Sequence, residues 1–145
     1  MKISTRSKYG IRAVVELAMQ ESKGRVSLAE IAEKQGLSFS YLEQIFSCLR
    51  KAGIVVGTTG SAGGYQLSQT ALNMNLYEIL LTLEGSLSMS GATMPNSETP
   101  LRSFLRREVW DVMDDALEQV LKQTTLLHLK EEFGRQEDSN FSAGL

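Results

Sequence analysis

The chain has 145 residues, 42% hydrophobic and 22% charged, with a net charge of -2 and a mean hydropathy of -0.13. That length suits one sizeable core with an oligomerising extension and leaves no room for two full domains, while the composition excludes a disordered or fibrous chain. No apolar run approaches the roughly 20 residues that span a bilayer, and the single cysteine, Cys48, excludes an intrachain disulfide and a cysteine-rich metal site. The basic start from Met1 to Lys8 leads into an amphipathic segment and not an apolar signal core, so a cytoplasmic protein without a membrane partner is expected. Residues 1–65 hold 9 Lys+Arg against 5 Glu, and residues 66–145 hold 6 basic against 12 acidic side chains, about +4 and -6. A basic first half points to an anionic partner there.

In chain order, Ser4 or Thr5 is placed to cap a first helix whose apolar positions Ile11, Val14, Val15, Leu17, Ala18 and Met19 recur at three-to-four spacing. Ser27-Leu-Ala-Glu30 fits a capping box opening a short helix that stops at Gly36. Ser40-Tyr-Leu-Glu43 offers a second box before Leu42, Ile45, Phe46, Leu49 and Ala52, and Gly53 ends that helix. Two short helices joined around a glycine behind a longer one compose a helix-turn-helix. Ile54-Val-Val56, a flexible Thr58–Gly64 turn and Tyr65-Gln-Leu67 then read as a hairpin placed where a wing would be. Asn75-Leu-Tyr-Glu78 caps a fourth helix, closed by Gly85. The Ser/Thr/Gly/Met-rich segment 86–100 reads as a loop. Leu101 to Gln123 is long and amphipathic, about 34 Å as a helix, and its stripe Leu105, Val109, Val112, Met113, Ala116, Leu117 and Val120 needs a partner, most simply its own copy. Thr125 caps a last short helix ended by Gly134, leaving 135–145 as a flexible tail. The organisation is thus 1–84 as a winged helix-turn-helix domain, an 85–100 loop, 101–134 as dimerisation helices, and the tail.

DNA recognition divides between cations that meet phosphates and side chains that meet base edges. Lys2, Arg6, Lys8, Arg50 and Lys51 fit the first task; Ser38, Ser40 and Tyr41 stand at the start of the second helix of the unit, where backbone N–H groups favour a phosphate or base edge. Glu43 suits a cytosine amino group, or equally the cap of its own helix, and Gln44 suits adenine. Thr59, Gly60, Ser61, Gly63, Gly64 and Tyr65 form the wing. Cys48 is either an inert filler or, beside Arg50 and Lys51, a redox-active thiol whose adduct would disturb groove insertion. An enzyme is disfavoured, because one His, one Cys and a solvated row of carboxylates at Asp111, Asp114, Asp115 and Glu118 provide neither nucleophile and base nor a metal centre.

The opening Met1-Lys-Ile-Ser-Thr-Arg-Ser-Lys-Tyr-Gly-Ile11, the run Gly36-Leu-Ser-Phe-Ser-Tyr-Leu-Glu-Gln-Ile-Phe46, Leu49-Arg-Lys-Ala-Gly53 and the Gly63-Gly-Tyr65 turn resemble the Rrf2 family of bacterial regulators, to which IscR, NsrR and CymR belong. The resemblance covers most of the chain. It implies a mainly α winged helix-turn-helix with a small β-hairpin wing and a long C-terminal dimerisation helix, a homodimeric transcription factor that binds double-stranded DNA; the expected role is a sequence-specific regulator, a repressor or modulator of transcription, at an inverted-repeat operator. Many members hold an iron–sulfur cluster with three cysteines before the long helix. Here residues 86–104 contain neither Cys nor His, which moves the resemblance toward cluster-free, CymR-like members that sense through a partner enzyme of cysteine metabolism, a small-molecule effector or a thiol. Members also commonly carry an arginine just before the wing glycine. Thr58-Thr59-Gly60 stands there instead, so weaker minor-groove contact is expected. The alternatives are a winged-helix interaction adaptor and a thiol-based sensor acting through Cys48.

Overall fold

The computed structural model describes residues 2–58, 63–89, 91 and 98–144. Helix α1 (Thr5–Met19) begins at Ser4, whose hydroxyl accepts the Ser7 N–H, and its inward face of Ala13, Val14, Leu17 and Ala18 is buried. A three-ten turn (Glu21–Lys23) leads to Val26 and then to α2 (Leu28–Gln35), which opens with a complete capping box between Ser27 and Glu30. Gly36, at φ 66°, takes the left-handed conformation that stops α2, and the Leu37 N–H closes back on the Ala32 carbonyl at 2.9 Å.

Helix α3 (Phe39–Lys51) starts two residues earlier than the capping pattern at Ser40 suggests. Ser38 is the cap, its hydroxyl accepting the Tyr41 N–H at 3.2 Å. The turn after Gly36 leaves Ser38 in extended backbone, and the helix that follows buries Leu42, Ile45, Phe46 and Leu49 on one face. Strands β1 (Val55–Thr58) and β2 (Gly64–Leu67) pair antiparallel with Val55 opposite Leu67. Val26 adds a third edge by exchanging both backbone hydrogen bonds with Tyr65 at 2.8 Å.

After a three-ten turn (Ala71–Asn73), α4 (Leu76–Glu84) opens with the predicted Asn75–Glu78 box and ends at Gly85, φ 81°. Its Leu83 lies so close to Gly10 of α1 that a Cβ at Gly10 would stand 2.7 Å from Cδ1. The long helix runs from Pro100 to Lys122 as α5 (Pro100–Leu105), a π-helical turn (Arg106–Trp110) and α6 (Asp111–Lys122). Thr99 caps it, and Arg106 is ion-paired to Glu98.

Helix α7 (Leu126–Ala143), capped by Thr125 as expected, corrects the sequence reading. It passes through Gly134 in helical conformation and takes in most of the anticipated tail. Glycine weakens a helix by about 1 kcal/mol without breaking it, and the Arg135–Glu132 pair at 2.6 Å supports the turn around it. The chain entering α7 bonds back to the chain entering α4, Leu76 N–H to Thr124 O at 2.9 Å and Leu126 N–H to Met74 O at 3.0 Å. Leu126 is thereby fixed in the same core as α1, α3 and α4, and Lys130 of α7 reaches Glu21 at 2.9 Å.

Candidate nucleic-acid interface

The inner face of α3 belongs to the core, so its outer face is left to solvent. Ser40, Glu43, Gln44 and Ser47 line one shallow open depression along it. Spacings of three and four residues put them on one stripe, and exposed Lys51 continues it by a further turn. Such a helix, about 10–12 Å across with side chains, fits the roughly 12 Å major groove.

The structure separates the expected phosphate residues into two groups. Lys2 and Lys8 are exposed at the start of α1; Arg6 is half-buried, its Nε enclosed without a hydrogen bond. Arg50 and Lys51 stand exposed in the last turn of α3, about 20 Å of helix away from Ser38. Tyr41 is half-buried, edge-on to Tyr9 with ring centroids 6.0 Å apart, and the Arg12 guanidinium lies 5.2 Å from the Tyr9 ring centre. This Arg12–Tyr9–Tyr41 stack joins the first helix to the start of the third and holds a cation beside it. Tyr9 and Arg12, which sequence reasoning did not single out, thus lie beside the candidate interface. A signal for them exists, since Lys8 and Arg12 lie four apart on α1 around Tyr9, but the ring contact joins residues far apart in the chain.

At the wing, Thr59, Gly60 and Ser61 lie outside the described residues. Gly63 and Tyr65 are half-exposed, whereas Gly64 is buried and departs from the expected DNA-facing role. A Cβ at Gly64 would stand 2.8 Å from the Val26 carbonyl oxygen, and the Tyr65 ring packs 4.8 Å from Phe46 at 64°. Both secure the base of the hairpin against the core. Arg25 comes with Val26 to the same place, its Cβ 3.3 Å from where a Gly64 Cβ would be.

Cys48 is on the flank of α3, where its Sγ donates to the Thr82 carbonyl of α4 at 3.4 Å. A bulky adduct there would press on the contact between α3 and α4. The residues do not fit an iron–sulfur cluster: the one thiolate source is committed to the α3–α4 contact, and the segment before the long helix has no Cys or His. That segment is instead tied to α6 by Asp114, whose carboxylate accepts the Met89 N–H at 2.8 Å and the Ser88 hydroxyl at 3.2 Å.

On the long helix, Leu105, Val112, Met113 and Val120 expose their side chains, with Leu101 and Phe104 beside them. Ala116 is exposed and Val109 half-buried. Leu117 differs from the expected seam, because it lines a cleft with Tyr77 and Leu81 of α4. On α6, helical spacing puts Leu117 at the margin of the arc shared by Val112, Met113, Ala116 and Val120.

A helix-turn-helix whose second helix offers an exposed polar stripe, followed by a hairpin wing, defines the winged-helix class of DNA-binding proteins. Comparison with known proteins agrees and is more specific. Residues 3–132 match the model of the family described as "Rrf2: Iron-dependent Transcriptional regulator". The chain is 35% identical over 133 residues to the protein Rrf2 of Nitratidesulfovibrio vulgaris Hildenborough, covering 89% of this chain and 87% of that one. It is 39% identical over 126 residues to the HTH-type transcriptional regulator CymR of Bacillus subtilis, covering 87% of each. The solved structure of B. subtilis CymR, a global cysteine regulator in that organism, superposes with a TM-score of 0.74 at 37% identity over 91% of this chain and 98% of that one. The chain belongs to the Rrf2 family of transcriptional regulators. It is a DNA-binding regulator with the winged-helix fold, and among its described residues no helix is long and apolar enough to cross a membrane.

Proposed function

We propose that this regulator represses transcription as a two-fold homodimer on an inverted-repeat operator, without an iron–sulfur cluster. The α3 stripe enters the major groove, Glu43 and Gln44 read base edges, and the cations of α1 together with Arg50 and Lys51 meet phosphates on either side. The observation that carries this reading is the polar row of exposed Ser40, Glu43 and Gln44 and half-buried Ser47, lining one open depression on a helix whose opposite face is core. A dimer on B-DNA places its half-sites about 34–36 Å apart or at a multiple of that. The exposed apolar residues of the long helix supply the dimer seam, and with no cluster to sense, the input is a partner enzyme of cysteine metabolism or a small molecule, in the cytoplasm.

The test is a pair of variants, Glu43→Ala and Gln44→Ala, titrated against operator and random duplexes. Each should cost about 1–3 kcal/mol on the operator and little on random sequence. Equal losses on both duplexes would remove the base-reading role.

A further inference from the structure

Glu84 is the last residue of α4, at the end of a helix where a carboxylate is opposed by the helix's own dipole. Its partners are on α1, 80 residues away in sequence. Oε1 accepts both the Ser4 backbone N–H and the Ser4 hydroxyl at 2.7 Å. Ser7, fully buried, lies within the same cluster, with the Ser4 and Ser7 hydroxyl oxygens 3.3 Å apart. Hydrogen bonds from the Ser7 and Ser4 side chains, then the Ser4 N–H and the charge of Arg6, hold the Glu84 carboxyl below its ordinary value despite partial desolvation. Ser4 is the capping residue of α1, and its carbonyl accepts the Lys8 N–H at 3.1 Å. Glu84 thus fixes both hydrogen-bond donors of the residue from which the helix carrying Arg6 and Lys8 sets out, and it fixes them from a helix that packs on α1 through the Gly10–Leu83 contact.

We propose that Glu84 is a positioning residue for DNA binding: its carboxylate, held by Ser4 and Ser7, sets the start of α1 so that Lys2, Arg6 and Lys8 meet the phosphate backbone. This rests on the reading of those cations as phosphate contacts. The effect of neutralising Glu84 is then opposite in sign to that of simple electrostatics. Removing a negative charge beside a polyanion site should strengthen binding if Glu84 acts only through its field. Removing a positioning group weakens it.

The test measures log K against log salt for the full chain, comparing wild type with Glu84→Gln and Lys8→Ala on operator and random duplexes. The amide is nearly isosteric but replaces the charged acceptor by a weaker neutral one and turns an NH2 donor toward the serine hydroxyls, and thermal melting with amide exchange at Ser7 and Lys8 separates a displaced helix start from global unfolding. The expected result for Glu84→Gln is a loss of about tenfold on both duplexes alike, with the salt slope reduced by about 0.9 for each phosphate no longer neutralised. Lys8→Ala should reduce the slope as well. A reduced slope for Lys8→Ala with unchanged or tighter binding by Glu84→Gln overturns the positioning role. An unchanged slope for Lys8→Ala overturns the phosphate reading beneath it.

Discussion

Val112 and Val120 project from the long helix with 57% and 62% of their surface exposed, so the isolated protomer has little packing to lose there. Replacing both by Asp therefore separates assembly from folding. If the stripe is the dimer seam, each valine buried against the partner contributes about 1.5–3 kcal/mol, and two-fold symmetry makes every loss occur twice. The low end of that range already amounts to about 6 kcal/mol, or roughly a ten-thousand-fold weaker dimer, before any penalty for enclosing a carboxylate. Analytical ultracentrifugation over a thousand-fold range of protein concentration should show the variant sedimenting as a monomer with an unchanged melting temperature. Operator affinity should fall with it, because each half-site then binds one unlinked domain. A variant that remains dimeric would place the interface away from Leu105, Val112, Met113 and Val120 and refute the reasoning. Leu117→Asp is a contrasting control: facing Tyr77 and Leu81 of α4, it should lower protomer stability.

Other consequences can be checked separately. Gly64→Ala drives a Cβ against the Val26 backbone carbonyl and breaks the paired Val26–Tyr65 hydrogen bonds; urea denaturation should show a loss of about 2 kcal/mol, and a loss below about 0.5 kcal/mol would mean the hairpin base shifts without cost. Phe46→Ala removes a fully buried ring that supports Tyr65 and should cost about 3–5 kcal/mol in the same assay. The lowered pKa of Glu84 means that its ionised form is favoured by folding. Its stabilisation is complete above the ordinary glutamate value of about 4.3 and disappears as pH falls through the lower folded value. The stability difference between wild type and Glu84→Gln should therefore be constant near neutrality and shrink in acid; a difference that grows in acid would falsify the assignment.

The parts of the fold legible in the sequence are those written in local chemistry. Ser27 with Glu30, Asn75 with Glu78, and Thr125 each sit where a capping rule puts them, and Gly36 and Gly85 end helices with positive φ. Where two local readings compete, the sequence does not decide. Ser38 and Ser40 both suit a cap, and Ser38 takes the role, in extended backbone two residues after the left-handed Gly36 and with its hydroxyl accepting the Tyr41 N–H. Gly134 resembles a terminator until α7 is seen packed on α1. Leu117 lies at one margin of the apolar stripe by helical spacing, and only the packing of α6 on α4 decides that it turns inward.

Within the interface, the α3 stripe follows from helical spacing alone. The Tyr9–Tyr41 contact, the Glu84–Ser4 bonds and the burial of Gly64 against Val26 instead join residues far apart in the chain, and only tertiary packing brings them together. The wing shows the same dependence: the glycine and tyrosine at positions 64 and 65 pack at the base of the hairpin against Val26 and Phe46, contacts that no local pattern announces.

The most direct test of DNA recognition by this chain is the binding of the purified protein to the duplex upstream of its own gene and to a scrambled duplex of equal length, at two salt concentrations. Selective binding to the first, as a dimer, is predicted, with affinity falling as salt rises at a log–log slope near -0.9 for each phosphate neutralised. Equal, weak and salt-insensitive binding to both would contradict it.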